Sequence, residues 1–430
     1  MNIQTPVDPT NELVEQARRV LPGGSFGNMP AEVILKEGKG GHVFDEAGKE
    51  YVDFLLGSGP MFIGHAHPEV TAAVQSQVPL GTTFFGNNRH GIALAEAIVD
   101  AVPCAEQVRF VCSGTEADLY AMRAARAFRK RDKILKFEGG YHGMSDYALV
   151  SLAPKAPGNF PRGSIDSAGI PKSVADEMVV AAFNDIDMVK SLIEEQKDEL
   201  AGVIVEPFQR LIPPKPGFLQ ALREVTAEHG IPLIFDEVVT GFRFAYGGAQ
   251  EYYGVTPDLC TLGKIVGGGF ALAAIAGRAD IMKHFDRLAM TDEDFIFQVG
   301  TLSGNPVAAV AGLATLDVLK RPGTYEGVFA NGRKLMDALS ELLKKNGIKA
   351  QVIGEPPLFD IIFTDQPIKD YRDTLKADTA ILKRFNQALR ARGIMKGDSK
   401  YYVSVAHTQA DIDHTIGAWE EALSELKSAR

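Results

Sequence analysis

Two stretches decide the architecture: Ile231-Pro232-Leu233-Ile234-Phe235-Asp236-Glu237 and Asp258-Leu259-Cys260-Thr261-Leu262-Gly263-Lys264. Each is an apolar run too short for a helix and bounded by turn residues, which reads as a buried strand. The first ends on carboxylates and the second on an amine. Charges at the tips of buried strands are costly unless something uses them. Working outward, strand-like runs at 108–112, 133–137, 178–182 and 202–206 alternate with helical periodicity at 115–129, 186–197 and 217–229. Such alternation predicts an α/β fold whose mostly parallel sheet is covered on both faces. Ligands of such sheets bind at the carboxyl ends of the strands, where Asp236 and Lys264 both fall.

The flanks differ. A helix at about 10–20, the turn Pro22-Gly23-Gly24 and three strands at 32–37, 41–44 and 51–55 come first. Helices at 306–319, 325–345 and 411–426 and strands at 350–353, 358–363 and 401–405 come last. We therefore expect an N-terminal segment (1–60), a large α/β domain (61–310) and a C-terminal segment (311–430), the two outer segments forming a smaller α+β domain.

Bulk properties narrow the class. The 430 residues are 45% hydrophobic and 23% charged, with net charge −10. No basic footprint for nucleic acid is present. No apolar stretch is long enough to cross a bilayer, and residues 1–19 lack a signal peptide's apolar core. Three cysteines without a C-x-x-C pair suit the reducing cytoplasm. The histidines, of which only His65 and His67 are close together, show no metal-binding spacing, and no metal is expected.

Four motifs carry chemistry. Ser113-Gly114-Thr115 joins a strand to a helix start, a phosphate-binding geometry as well as an ordinary cap. Gly139-Gly140-Tyr141-His142-Gly143 puts an aromatic ring in a glycine-rich turn, where it could stack on a flat heterocycle or be plain loop. Glu206 and Asp236 end successive strands, which would also fit a pair of hydrolytic carboxylates or a metal site. Lys264 lacks the glycine and Ser/Thr of a Walker lysine but could form a Schiff base with a carbonyl. In combination they match the needs of pyridoxal phosphate: phosphate anchor, ring stack, counter-charge for the ring nitrogen and covalent lysine.

These motifs, with Phe235 to Arg243 and Gly300-Thr301-Leu302-Ser303-Gly304-Asn305-Pro306, make residues 12–427 resemble the class III aminotransferases of fold type I, within them the glutamate-1-semialdehyde aminomutase-like group. The resemblance implies that Lys264 holds the cofactor aldehyde and Asp236 pairs with the pyridine nitrogen. It also implies that Tyr141, beside His142, and Val238 enclose the ring, that Ser113, Gly114 and Thr115 hold the phosphate, and that Glu206 orders the pocket. Thr301 would reach the cofactor phosphate of the neighbouring subunit, because the family builds its sites across a homodimer interface.

The chain departs from the aminomutase pattern at substrate contacts. Ser25-Phe26-Gly27-Asn28-Met29-Pro30 carries no arginine, and none occurs between Arg19 and Arg89. Asp398-Ser399-Lys400 replaces a glutamate, and Gly57-Ser58-Gly59-Pro60 replaces Ser-Trp-Gly-Pro. The expectation is a transaminase moving an amino group from an amine or amino acid, of β or ω type, to a keto acid. The alternatives are intramolecular amino transfer on glutamate 1-semialdehyde, and a racemase or lyase using the same cofactor. Asn28, Arg89 and Arg162 are the leading substrate contacts, the two arginines because they fall in stretches rich in Gly, Asn and Pro that read as loops. Arg210, Arg243 and Lys400 are further candidates for a carboxylate.

Overall fold

The computed structural model describes residues 9–428; residues 1–8 of the expected N-terminal segment and 429–430 of the C-terminal one lie outside the described residues. Helix α1 (Pro9–Val20) leads into β1 (Leu35–Lys39), β2 (His42–Asp45) and β3 (Glu50–Asp53), an antiparallel meander. The β2–β3 turn closes because the Asp45 side chain accepts from Lys49 N at 2.8 Å while Gly48 takes φ +82°, a left-handed conformation that glycine adopts freely.

The large sheet has seven strands: β4 (Gln107–Val111), β5 (Lys133–Phe137), β6 (Met178–Ala181), β7 (Leu200–Val205), β8 (Leu233–Glu237), β9 (Leu259–Leu262) and β10 (Ala273–Gly277), in the order β4-β10-β9-β8-β7-β5-β6. The run from β9 to β6 is parallel, and β10 lies antiparallel between β4 and β9. Every residue of β6 to β10 is buried, as a sheet covered on both faces requires. β10 is an addition to the expected strands: it reads Ala-Ala-Ile-Ala-Gly, without the β-branched enrichment that marks a strand. Residues 89–101, which carry Arg89, are a second difference: they form a helix capped by Asn88 rather than a loop.

The next helix, α4 (Gly114–Arg129), follows α2 (Pro68–Gln77) and α3 (Arg89–Ala101) and lies on the sheet through Ala117, Ala121, Ala124 and Ala125. The approach is close: a Cβ on Gly202 of β7 would come within 2.9 Å of the Ala125 Cβ. This small-residue seam brings the start of α4 over the ends of β8 and β9.

The C-terminal part adds β11 (Gln351–Glu355), β12 (Leu358–Ile362), β13 (Ile394–Met395) and β14 (Tyr401–Tyr402). Strands β11, β12 and β14 form one sheet, backed by the helices Thr324–Asn346, Thr379–Ala391 and Gln409–Ser428. Trp419 is fully buried there and donates Nε1–H to Tyr401 OH at 2.9 Å. β14 is shorter than the expected 401–405 because the chain turns away: Val405 N donates to Phe62 O at 2.9 Å. β13 joins the other sheet, parallel to β3, so both ends of the chain contribute to it.

Candidate active site

The carboxyl ends of β8 and β9 and the start of α4 surround a crevice of about 370 Å³. Ser113, Gly114, Thr115, Tyr141, Asp236, Val238 and Lys264 line it, so seven sequence-predicted residues meet in one place. Asp118, Cys112, Pro60 and Phe270 line it as well.

Each wall has a local cause. Ser113 caps α4: its Oγ accepts from Glu116 N at 3.2 Å, and Glu116 Oε2 reaches back to Cys112 N at 2.9 Å. The first N–H groups of α4 have no partner inside the helix and open onto the crevice. Gly114 leaves no room for a side chain, since a Cβ there would sit 2.9 Å from Val238 Cγ1. Gly143, at φ +83°, folds the glycine-rich turn over Thr115, and Thr115 Oγ1 accepts from Met144 N at 3.1 Å. Glu206 Oε2 accepts from Tyr141 N at 2.8 Å and so orders that turn.

Asp236 lies 4% exposed at the floor. Its Oδ2 is 2.8 Å from His142 Nδ1, and its Oδ1 accepts from Val238 N at 3.1 Å. An ionised carboxylate only accepts, so His142 donates from Nδ1. His142 Nε2 is then a buried atom with no partner among the described residues. Thr261 Oγ1 bridges from Asp118 Oδ1 (2.6 Å) toward Asp236 Oδ1 (3.4 Å). Ligating atoms of Asp118, His142 and Asp236 lie within 4.8 Å of one another. Burial, and then the charge of Asp236, push the Asp118 carboxyl well above the usual range. Of the two, Asp118 is the one whose neutral form is favoured. Sequence reading missed Asp118 because one acid inside a helix looks like a solvated face; only the packing of α4 on β9 and β10 buries it.

Lys264 opens a short helical turn with φ +48°, a strained conformation for a residue with a side chain, of order 1–3 kcal/mol. Burial is the largest cause holding its amine below the ordinary lysine range; Lys400 and Arg243 act the same way, against Tyr402 and Asp236. These effects favour the neutral, nucleophilic form of the amine, which faces the same crevice as Asp236.

The donor set fits pyridoxal phosphate. A helix N-terminus with a cradle that a Cβ would fill suits a phosphate. Tyr141 and Val238 offer an aromatic and an aliphatic surface, and Asp236 can pair with a protonated ring nitrogen.

Other expected site residues end elsewhere. Thr301 is exposed and its carbonyl accepts from Thr83 Oγ1 at 3.1 Å; it does not line the crevice of its own chain. Asn28, Arg89 and Arg162 are exposed and also absent from its walls. Arg89 opens a helix instead of lying in a loop, and Arg162 is bridged to Val179 at the sheet edge. Arg243 is fully buried, donating to Val239 O at 2.9 Å and Gly59 O at 2.5 Å, and its Nη1 has no hydrogen-bond partner among the described residues.

Comparison with known proteins agrees with this geometry. Residues 25–423 match the family model for class-III aminotransferases. A glutamate-1-semialdehyde 2,1-aminomutase of Desulforudis audaxviator is 40% identical over 426 residues, 96% of each chain. An omega-transaminase from Sphaerobacter thermophilus is 38% identical and superposes with a TM-score of 0.92, covering 98% of each chain. A transaminase with pyridoxal phosphate bound is 29% identical, with a TM-score of 0.89 and 99% of each chain covered. The chain thus belongs to the class-III aminotransferases, enzymes of fold type I that depend on pyridoxal phosphate.

Proposed function

We propose that the enzyme is a transaminase moving an amino group from an ω- or β-type amine or amino acid to a keto acid. The observation that carries this reading is the absence of any arginine between Arg19 and Arg89, which leaves the stretch Ser25-Phe26-Gly27-Asn28-Met29-Pro30 without the carboxylate-binding arginine of the aminomutase pattern. The likeness to the omega-transaminase supports it. The 40% identity to an aminomutase supports the second reading, intramolecular transfer on glutamate 1-semialdehyde.

When bound, pyridoxal phosphate supplies an aldehyde that captures amines and a protonated ring that draws electrons from the neighbouring carbon. Lys264 holds the cofactor between turnovers. Its Nζ, when free, would be the group placed to take a proton from the substrate's amine-bearing carbon and return it. Asp236, held by His142 at 2.8 Å, would pair with the ring nitrogen and favour its protonated form. Ser113, Gly114 and Thr115 hold the phosphate; Tyr141 and Val238 enclose the ring; Glu206 fixes the Tyr141 turn.

We place cofactor binding in residues 61–310, with 1–60 and 311–430 as the smaller unit, and assign the enzyme to the cytoplasm as a homodimer. Three free cysteines support the compartment. No helix among the described residues is long and apolar enough to cross a membrane. Exposed Phe84, Phe85, Ile92, Phe297, Val299 and Leu302 support the dimer. They lie on segments tied together by the Thr83 bond to Thr301 O and by Asn88 Nδ2 donating to Gly304 O at 2.8 Å, which would set Thr301 toward a second copy.

The test is a half-reaction. Cofactor-loaded enzyme receives single amines without acceptor, and bleaching of the cofactor absorbance identifies the donor. Lys264→Ala should bind cofactor without turnover; unchanged turnover would overturn the assignment. Conversion of glutamate 1-semialdehyde without any acceptor would select the second reading. Racemised product or released ammonia would select a racemase or lyase.

A further inference from the structure

A second cavity, about 240 Å³, lies between the loops after β5 and β7 and the β11–β12–β14 sheet. Its walls are mainly apolar: Leu152, Ile212, Ile353, Ile361, Ile362 and Leu382. Two cations stand at its head, Arg210 and Lys400. Both are half-buried, and neither makes a side-chain hydrogen bond or an ion pair among the described residues. The acid on the cavity wall, Asp360, is already engaged by Lys396 at 2.8 Å.

This chamber and the crevice are linked through one contact between their walls. The Arg210 guanidinium sits over the Tyr141 ring at 5.2 Å, and Tyr141 lines the crevice. Arg210 holds this place from a left-handed backbone, φ +62°. Arg210, Arg243, Glu206 and Asp236 surround Lys400 electrostatically, and Lys400 in turn acts on Lys264. An unpaired guanidinium beside apolar walls and an amine pushed toward its neutral form are costly to leave without a partner, and an anion shared by Arg210 and Lys400 would favour the charged amine and relieve that cost.

We propose that Arg210 and Lys400 form the carboxylate-binding subsite for the amino donor, and that the chamber behind them holds the donor's apolar body. The substrate class is an amino acid with an aryl or branched-alkyl body. This deepens the transaminase reading and rests on it.

The test uses the cofactor-loaded enzyme and two donors differing by a carboxylate, 3-amino-3-phenylpropanoate and 1-phenylethylamine. Bleaching gives the half-saturating concentration of each. In wild type the acid should be preferred. In Lys400→Met or Arg210→Asn that preference should fall about tenfold or more, the worth of one charge-assisted hydrogen bond. A preference unmoved in both variants overturns the subsite. Binding of 3-phenylpropanoate, which has no amine to transfer, is measured by calorimetry as a readout independent of turnover. Burial lowers the Lys400 amine to about 7. The affinity should therefore fall about tenfold per pH unit above 7. Arg210→Asn should move that inflection upward. Wild type that bleaches with no amine but binds 3-phenylpropanoate through Lys400 defeats the transaminase reading alone. Bleaching with a flat pH profile of acid binding defeats the subsite alone.

Discussion

Replacing Asp118 by asparagine should leave catalysis almost intact, whereas Asp236→Asn should nearly abolish it, although the two carboxyls share one hydroxyl bridge. Asp118 is pushed well above the usual carboxylate range by burial and by Asp236, which favours its neutral form. Asparagine matches a neutral acid in size and charge. Its Oδ1 can still accept from Thr261 Oγ1, now 2.6 Å from Asp118 Oδ1, and its amide can donate where the acid proton did. The expected loss is below about 1 kcal/mol, or roughly fivefold in rate. Asp236→Asn removes the anion that faces His142 Nδ1 at 2.8 Å and leaves the buried imidazole without its charged partner. Truncating one side of such a buried pair costs about 3–5 kcal/mol, or roughly 10²- to 5 × 10³-fold. The assay is the single-turnover bleaching rate with the best donor, alongside thermal unfolding to separate a folding defect. Equal losses in the two variants would show that the proton does not reside on Asp118, and the electrostatic reading of the floor would fall.

Three further outcomes follow from the same geometry. Lys396→Met strands Asp360, both side chains being 1% exposed, and should cost about 3–5 kcal/mol in urea unfolding; Lys396→Met with Asp360→Leu should recover most of it. Burial holds His407 at about 4 against 6.5 in the unfolded chain, so the unfolded state binds the proton first and stability falls as pH drops between those values. That fall should be about 1.4 kcal/mol per unit, roughly 3 kcal/mol in all, and His407→Gln should flatten the slope by that amount relative to wild type. Gly143→Ala places a Cβ 2.5 Å from Thr115 Cα at φ +83°, so cofactor affinity measured by fluorescence titration should drop at least about tenfold.

The strand tips were legible because burial penalises a charge, so a short apolar run that ends in one marks a pocket that needs it. Asp236, Lys264 and the α4 start are visible in that way, and the structure brings them to one crevice. Residues whose meaning comes from packing were not legible. Asp118 becomes a floor residue only through the alanine seam of α4. β10 hides in small residues that suit a helix equally well. Asn28, Arg89 and Arg162 stand in polar stretches of the kind that often carry ligands, yet all three are exposed in the folded chain. Arg210 and Lys400 stood among weaker candidates, because no local signal says which cation lacks a partner after folding.

The parallel pairing of β3 with β13 has a temporal meaning. Val52 waits for Ile394, some 340 residues later in the chain. At a ribosome's pace of about 5–20 residues per second, that strand edge stays open for roughly 20 to 70 s. The sheet begun first is completed nearly last. For that interval the nascent chain presents an unmatched β-edge, which makes this seam the place where a chaperone would have most to shield.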